Sequence, residues 1–409
     1  MSAFSPLACV VESLNLSADR RGVLRKIADS AWPGLLHLTD EARLTLPLAI
    51  RCADVLPASV RARVEANLES NLRRHERAAA EWREIGRALH EGGIEFLMLK
   101  GLTHWPMYVA EAWHRPQYDF DIYCPGDSAA KAFKAICGLG YEAHKPAKGP
   151  ETDHLPALIR RTGFEWRGDY FDAALPMTVE IHHRFWNAAR ESFSVRNDGA
   201  FWSRRTVRRV GDLEVPALHP VDCLSYATWH AVRHLVQGNL RLFHVYEVAC
   251  FLNETRGDDH FWKEWERAYS GERGVAEAIA FRLAVEWFGC QVHPIAGRCI
   301  GSAPVAADRW FRLFRESPIL AQEYTNKDEL FLHLSLVDSR RDKLRIAAQR
   351  IFPRNPPSVV LDAHSTEKGR GVTVRRAAFQ SGFLVKRAVR HIGALWPVAR
   401  SAVRWWREG

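Results

Sequence analysis

The 409-residue chain has no run of eighteen or more apolar residues, which excludes an ordinary membrane-spanning helix. Its first twenty residues lack the basic start, apolar stretch and small-residue cleavage site of a secretory signal, so a cytoplasmic location is expected. The eight cysteines include no C-x-x-C pair and no zinc-ligand spacing, and they sit in apolar segments. They read as buried thiols rather than a disulfide framework. No H-E-x-x-H pattern occurs, which leaves hydrolytic zinc chemistry without support, and there is no internal repeat. Carboxylates are scarce at one end: from Thr366 to Gly409 ten Lys or Arg face two Glu, and this tail carries +8 of the net +9. A basic tail suits an acidic partner or an anionic membrane surface, with peripheral membrane contact left open. It does not make the rest of the chain a nucleic-acid binder.

Three patterns fill the chain. Before Gly92, "LPASVRARVEANLESNLRRHERAAAEWREIGRALHEGG" spaces its apolar residues by three and four and predicts a long amphipathic helix. Strand and helix signals then alternate. "IEFLMLKG" predicts a strand running into a turn, "LTHWPMYVAEAW" a short helix, "YDFDIYC" a second strand, and "PGDSAAKAFKAICGLGY" a turn and helix. "GFEWRGDYF" and "MTVEIHHRFW" predict two further strands beyond the polar connection "HKPAKGPETDHLP". From about Pro220 the apolar spacing turns helical again, and a Pro-rich connection leads to basic amphipathic pieces broken at Pro397. The expected class is α+β, with a small mixed sheet flanked by N-terminal helices and a C-terminal helical bundle. The expected divisions are residues 1–92, 93–215, 216–352 and 353–409.

The chemistry is concentrated in the strands. In "YDFDIYC" alternation puts Asp119, Asp121 and Tyr123 on one face and Phe120 and Ile122 on the other, so the phenylalanine anchors a strand that displays two carboxylates. Two carboxylates side by side repel unless a cation or proton lies between them, and Mg²⁺ shared with substrate phosphates is a common solution. The bland alternative is a pair of surface aspartates on an edge strand. Glu180 in "MTVEIHHRF" would add a third carboxylate, sharing its face with His182, and three carboxylates on neighbouring strands can hold two metal ions. Lys100 and Gly101 end a strand as a charge and a flexible backbone. Arg115 either contacts phosphate or pairs with Asp119. His183 reads as a packed histidine, and His230, His234 and His244 as packing or substrate-contact residues. Most tryptophans fit helix packing, whereas Trp405 and Trp406 beside Arg404 and Arg407 suit a membrane interface or a partner groove.

Leu99 to Gly101, Arg115, the Asp119-x-Asp121 strand, Gly140 with Tyr141, and Glu180 with His182 together resemble the uncharacterised nucleotidyltransferases of the polymerase beta superfamily. The resemblance extends over about residues 90–355, with His234 and Glu247 matching a histidine and an acidic residue in the family's helices. It implies Asp119, Asp121 and Glu180 as catalytic and metal-binding residues. It further implies Lys100, Gly101, Arg115 and His182 as nucleotide contacts, and His234 and Glu247 as a candidate acceptor site. Mg²⁺ or Mn²⁺ and a nucleoside triphosphate, first of all ATP, are the implied cofactor and substrate, with a peptide or small metabolite as acceptor. Lys100-Gly101-Leu102 stands where the wider superfamily prefers Gly-Ser. Two rivals stay open: a D-x-D glycosyltransferase, which would need a larger α/β domain before the motif, and a catalytically silent nucleotidyltransferase-like binding module.

Overall fold

A computed structural model describes residues 4–143, 152–164, 166–272, 274–351 and 370–408. Helices α1 (Pro6–Ser13), α2 (Trp32–Ala42) and α3 (Thr45–Cys52) lead into the long α4 (Ala58–Glu91), which ends one residue before Gly92, as the apolar spacing predicts. The strands are β1 (Leu97–Met98), β2 (Asp119–Tyr123), β3 (Tyr141–Ala143), β4 (Leu158–Arg160), β5 (Thr178–His182), β6 (Thr206–Val210) and β7 (Leu213–Ala217). They form one mixed sheet in the order β3-β4-β5-β2-β1-β7-β6. Helix α5 (Ser128–Gly138) follows β2, and the single turn α6 (Ala188–Glu191) follows β5. Helices α7 (Pro220–Gln237), α8 (Leu242–Glu254), α9 (Asp259–Ala268) and α10 (Val275–Phe288) open the C-terminal bundle. The class is α+β, as expected.

Two apolar cores organise the molecule, and α4 joins them. Its buried residues recur every three or four positions. Val60 and Val64 enter a core shared by the N-terminal helices and the bundle, while Ala78, Trp82, Ile85 and Leu89 enter a second core under the sheet. Between these halves α4 turns polar inward. Asn71 Nδ2 donates to the carbonyls of Trp113 and Arg115, and Arg74 Nη1 donates to the carbonyl of Tyr170. The helix thereby ties down the irregular segments that flank the central strands. On the sheet's inner face Phe120 is fully buried with its ring 5.6 Å from that of Trp82, so the anchor expected beneath the two aspartates is present.

Several local expectations do not hold. "LTHWPMYVAEAW" forms two short 3-10 turns, Gly101–His104 and Ala112–His114, because Pro106 at its centre cannot donate to a helical ladder. "GFEWRGDYF" supplies no strand among its described residues. Asp169 and Asp172 instead accept from the backbone N–H groups of Phe171 and Ala174 and curl the chain into turns, and the strand lies earlier, at Leu158–Arg160. The β6–β7 hairpin went unpredicted, although "VGDL" is a two-residue hairpin signal and Val210 pairs with Leu213 across it. Pro397 does not break the tail, since one helix runs from Arg370 to Arg407 through it. Trp405 docks that helix against Phe314 and Phe331, whereas Trp406 is exposed. The polar connection 144–151 and the Pro-rich connection 352–369 lie outside the described residues.

Candidate functional site

The site stands where β2 and β5 run side by side. They pair in parallel and in register, with Asp119 opposite Thr178, Asp121 opposite Glu180 and Tyr123 opposite His182. Because paired residues share a face, the carboxylates of both strands look the same way. Asp121, Glu180 and His182 each offer a ligand atom within 4.8 Å of the others. Asp119 stands two residues earlier on β2, outside that trio.

Asp121 is the hub. Its Oδ1 accepts from His182 Nε2 at 3.1 Å, and its Oδ2 lies 3.1 Å from Lys100 Nζ without hydrogen-bond alignment. Burial favours the neutral acid, but the Lys100 ammonium and the His182 hydrogen bond outweigh it and hold the Asp121 carboxyl well below the usual carboxylate range. Burial likewise opposes the Lys100 charge and is outweighed by Asp121, Asp119 and Glu180, which raise its pKa. Glu180 moves the other way: burial first, then the charges of Asp121 and Asp119, push its carboxyl up. Two adjacent carboxylates are thus driven apart in acidity, the arrangement that assigns different proton roles to neighbouring acids.

Helix α7 closes the site from above. Arg233 Nη1 donates to Asp153 Oδ2 at 2.6 Å, and that oxygen lies 3.9 Å from His182 Nδ1. Burial is again outweighed, here by Arg233, and the Asp153 carboxyl falls to about 2. One turn earlier on α7, His230 Nε2 accepts from Lys100 Nζ at 3.2 Å. Lys100 therefore bridges the strand carboxylates and the helical bundle.

The turn at Gly101 is forced by sterics. Its φ of +82° disfavours side chains, and a Cβ there would lie 2.6 Å from Gln117 Nε2. Gln117 in turn donates to the carbonyl of Asp119 at 2.9 Å, so this side of Gly101 supports the β2 entrance. Arg115 does not ion-pair with Asp119. It is buried, and its Nε donates to Glu247 Oε1 at 2.7 Å, while His104 Nδ1 donates to the same oxygen at 2.9 Å. Glu247 is thereby committed to an internal ion cluster. His234 lies on the Lys100 side of the site, its Nε2 3.2 Å from that of His230.

Two cations that sequence reasoning missed approach from elsewhere. Arg43, in a left-handed conformation after α2, sits over the Tyr118 ring at 4.5 Å. Burial, then the nearby charge of Arg241, lowers its pKa to about 10. Arg241 precedes α8 and donates to the carbonyl of Glu41. Neither arginine has a carboxylate within ion-pair distance among the described residues. Their signal in the sequence is nil, because both belong to loops that only the tertiary fold brings together.

Oxygen ligands on adjacent strands, with the buried Asp121 Oδ2 facing the Lys100 ammonium, suit a hard divalent cation.

Residues 28–289, more than half of the chain, match the family described as uncharacterised nucleotidyltransferase. The chain belongs to that family. The match begins earlier than the motifs suggest, within the N-terminal helices that carry Arg43, and it ends just after α10. No curated protein and no solved structure matches the chain. Among the described residues no helix is long and apolar enough to cross a membrane.

Proposed function

We propose that this nucleotidyltransferase-family protein is an enzyme that transfers a nucleoside monophosphate from a nucleoside triphosphate to an oxygen of a small-molecule or peptide acceptor. The observation that carries the reading is the in-register pairing of Asp121 with Glu180 beside Lys100. Asp121 and Glu180, with Asp119 at the rim, would hold Mg²⁺ or Mn²⁺. A cation bound there would neutralise the triphosphate and the charge that develops at the α-phosphorus.

The chain's own residues divide the remaining work. Lys100, Arg43 and Arg241 present positive charge to the phosphates. His182, held between Asp121 and Asp153, fixes the orientation of the Asp121 carboxylate. Glu180 takes the proton from the acceptor hydroxyl as its oxygen bonds to the α-phosphorus. The bond from that phosphorus to the bridging oxygen then breaks, and pyrophosphate leaves. ATP is the first donor to test. The basic C-terminal helix exposes Val385, Val389, Ile392, Trp396 and Trp406 along its length and suits an anionic surface. A cytoplasmic setting fits the nucleotide donor.

The test incubates the full chain with each α-labelled nucleoside triphosphate, Mg²⁺ and candidate acceptors, with mass spectrometry of the products. Acceptor mass increased by one nucleoside monophosphate supports the reading, whereas transfer of a sugar from UDP-sugars would replace it with the glycosyltransferase. Failure to bind any triphosphate with Mg²⁺ by calorimetry would leave a silent binding module.

A further inference from the structure

A second cluster of ligand-type side chains lies next to the carboxylate site and has a different donor character. His230 and His234 are four residues apart on α7 and so face the same way. The turn at Gly238, with φ +71°, reverses the chain and brings His244 on α8 to meet them. The three rings lie with centroids 4.4, 4.6 and 5.1 Å apart, and one nitrogen from each falls within 4.8 Å of the others. Packing alone does not require three imidazoles to turn their nitrogens toward one another.

The hydrogen bonds around the rings define where the lone pairs point. Lys100 Nζ donates to His230 Nε2 at 3.2 Å, so that nitrogen presents its lone pair, and a metal bound there would take the place of the ammonium, which keeps Asp121 as its partner. Asn239 Oδ1 lies 3.0 Å from His234 Nδ1, an acceptor for a proton on that nitrogen when a metal takes the lone pair of Nε2. The two Nε2 atoms stand 3.2 Å apart. Such a pair is held by a proton shared between the nitrogens or by a cation, and a metal would displace both that proton and the Lys100 contact. The separation matches the edge of a tetrahedron with metal–nitrogen bonds of about 2.0–2.1 Å, roughly 3.3 Å. His244 is 6 % exposed, and its Nδ1 has no hydrogen-bond partner. The Asn239 carboxamide also plays the part of the outer acceptor that orients a metal-bound histidine. Burial lowers the pKa of all three rings, His234 to about 3, so they remain neutral ligands.

We infer that His230, His234 and His244 form a binding site for a transition-metal cation of the Zn²⁺ class, with the fourth position open. Three neutral imidazoles are borderline nitrogen donors that suit such a cation better than Mg²⁺, in contrast to the hard oxygen ligands of Asp121 and Glu180. His230 and His234 are only partly buried, which leaves an entry path. The charges of Lys100, Arg43 and Arg241 all bear on His244; they oppose a bare dication and make an anionic occupant of the fourth position part of the site. This inference stands independently of nucleotidyl transfer, because it concerns a different donor set.

The experiment titrates Co²⁺ into chelator-treated full-length protein and follows the visible d–d bands of tetrahedral cobalt, then displaces them with Zn²⁺. The expected result is one equivalent in the native chain. The double variant Asp121→Asn, Glu180→Gln should keep these bands and His244→Ala should lose them, with folding of each verified by circular dichroism. Asn239→Ala, at an exposed position where folding is not at stake, should weaken Co²⁺ binding about 10- to 100-fold. Absence of stoichiometric bands in the native chain would overturn the inference. So would bands that persist in folded His244→Ala, bands lost with the carboxylates, or binding unchanged in Asn239→Ala.

Discussion

Replacing Glu247 by Gln separates an internal ion cluster from an acceptor site. Glu247 is 3 % exposed, receives Arg115 Nε at 2.7 Å and His104 Nδ1 at 2.9 Å, and links α8 to the segments on either side of the Trp105–Pro106 turn. Burial pushes its carboxyl up, but Arg115 and His104 pull it down to about 2 from an ordinary 4.5. A folded-state pKa below the unfolded value means stability that is fully present above 4.5 and is lost as pH falls toward 2. The difference corresponds to roughly 3 kcal/mol, within the range for breaking a buried ion pair and stranding one partner. Glu247→Gln should therefore lower the unfolding free energy at pH 7 by about 3 kcal/mol. The gap to the native protein should narrow as pH drops below 4.5, because the native carboxyl is then losing the same charge. Urea unfolding of both proteins, followed by tryptophan fluorescence at a series of pH values, reads this directly. A gap that stays constant with pH, or native-like stability at pH 7 with a selective loss of acceptor binding, would refute the reasoning and return Glu247 to the acceptor site.

Three further outcomes follow from the geometry. Gly101→Ala should cost about 2 kcal/mol or more by chemical denaturation, from positive-φ strain and overlap with Gln117; adding Gln117→Ala should recover the overlap component. Lys100→Met removes the ammonium from Asp121 and, on the proposed function, from the phosphates, so triphosphate affinity by calorimetry should fall about 10- to 100-fold; unchanged affinity would take Lys100 out of the site. Trp405→Ala removes contacts with Phe314 and Phe331 and should weaken docking of the C-terminal helix by about 1.5 kcal/mol, seen as faster hydrogen exchange across 391–405.

Much of the site was legible because strand alternation is local. "YDFDIY" and "VEIHHRF" each announce which residues share a face, and Phe120 announces the buried side. Neither segment encodes its partner, so the pairing of Asp121 with Glu180 is fixed only by the sheet. The same limit explains Arg115. Its four-residue distance from Asp119 suggested a local pair, yet the partner is Glu247, which lies 132 residues away. Arg43 and Arg241 carried no signal, since an arginine in a loop has no periodicity to read. The α4 helix was easy to see, but its polar inner residues Asn71 and Arg74 became meaningful only against the carbonyls they hold.

The central claim is that Asp121 and Glu180 together carry nucleotidyl transfer. The most direct measurement is Mg²⁺- and acceptor-dependent release of labelled pyrophosphate from γ-labelled ATP, or from whichever triphosphate binds, by the native chain, Asp121→Asn and Glu180→Gln, with thermal unfolding recorded on the same samples. The account predicts release by the native protein and its loss in both variants, which should remain folded. Release that persists in folded Asp121→Asn would contradict it.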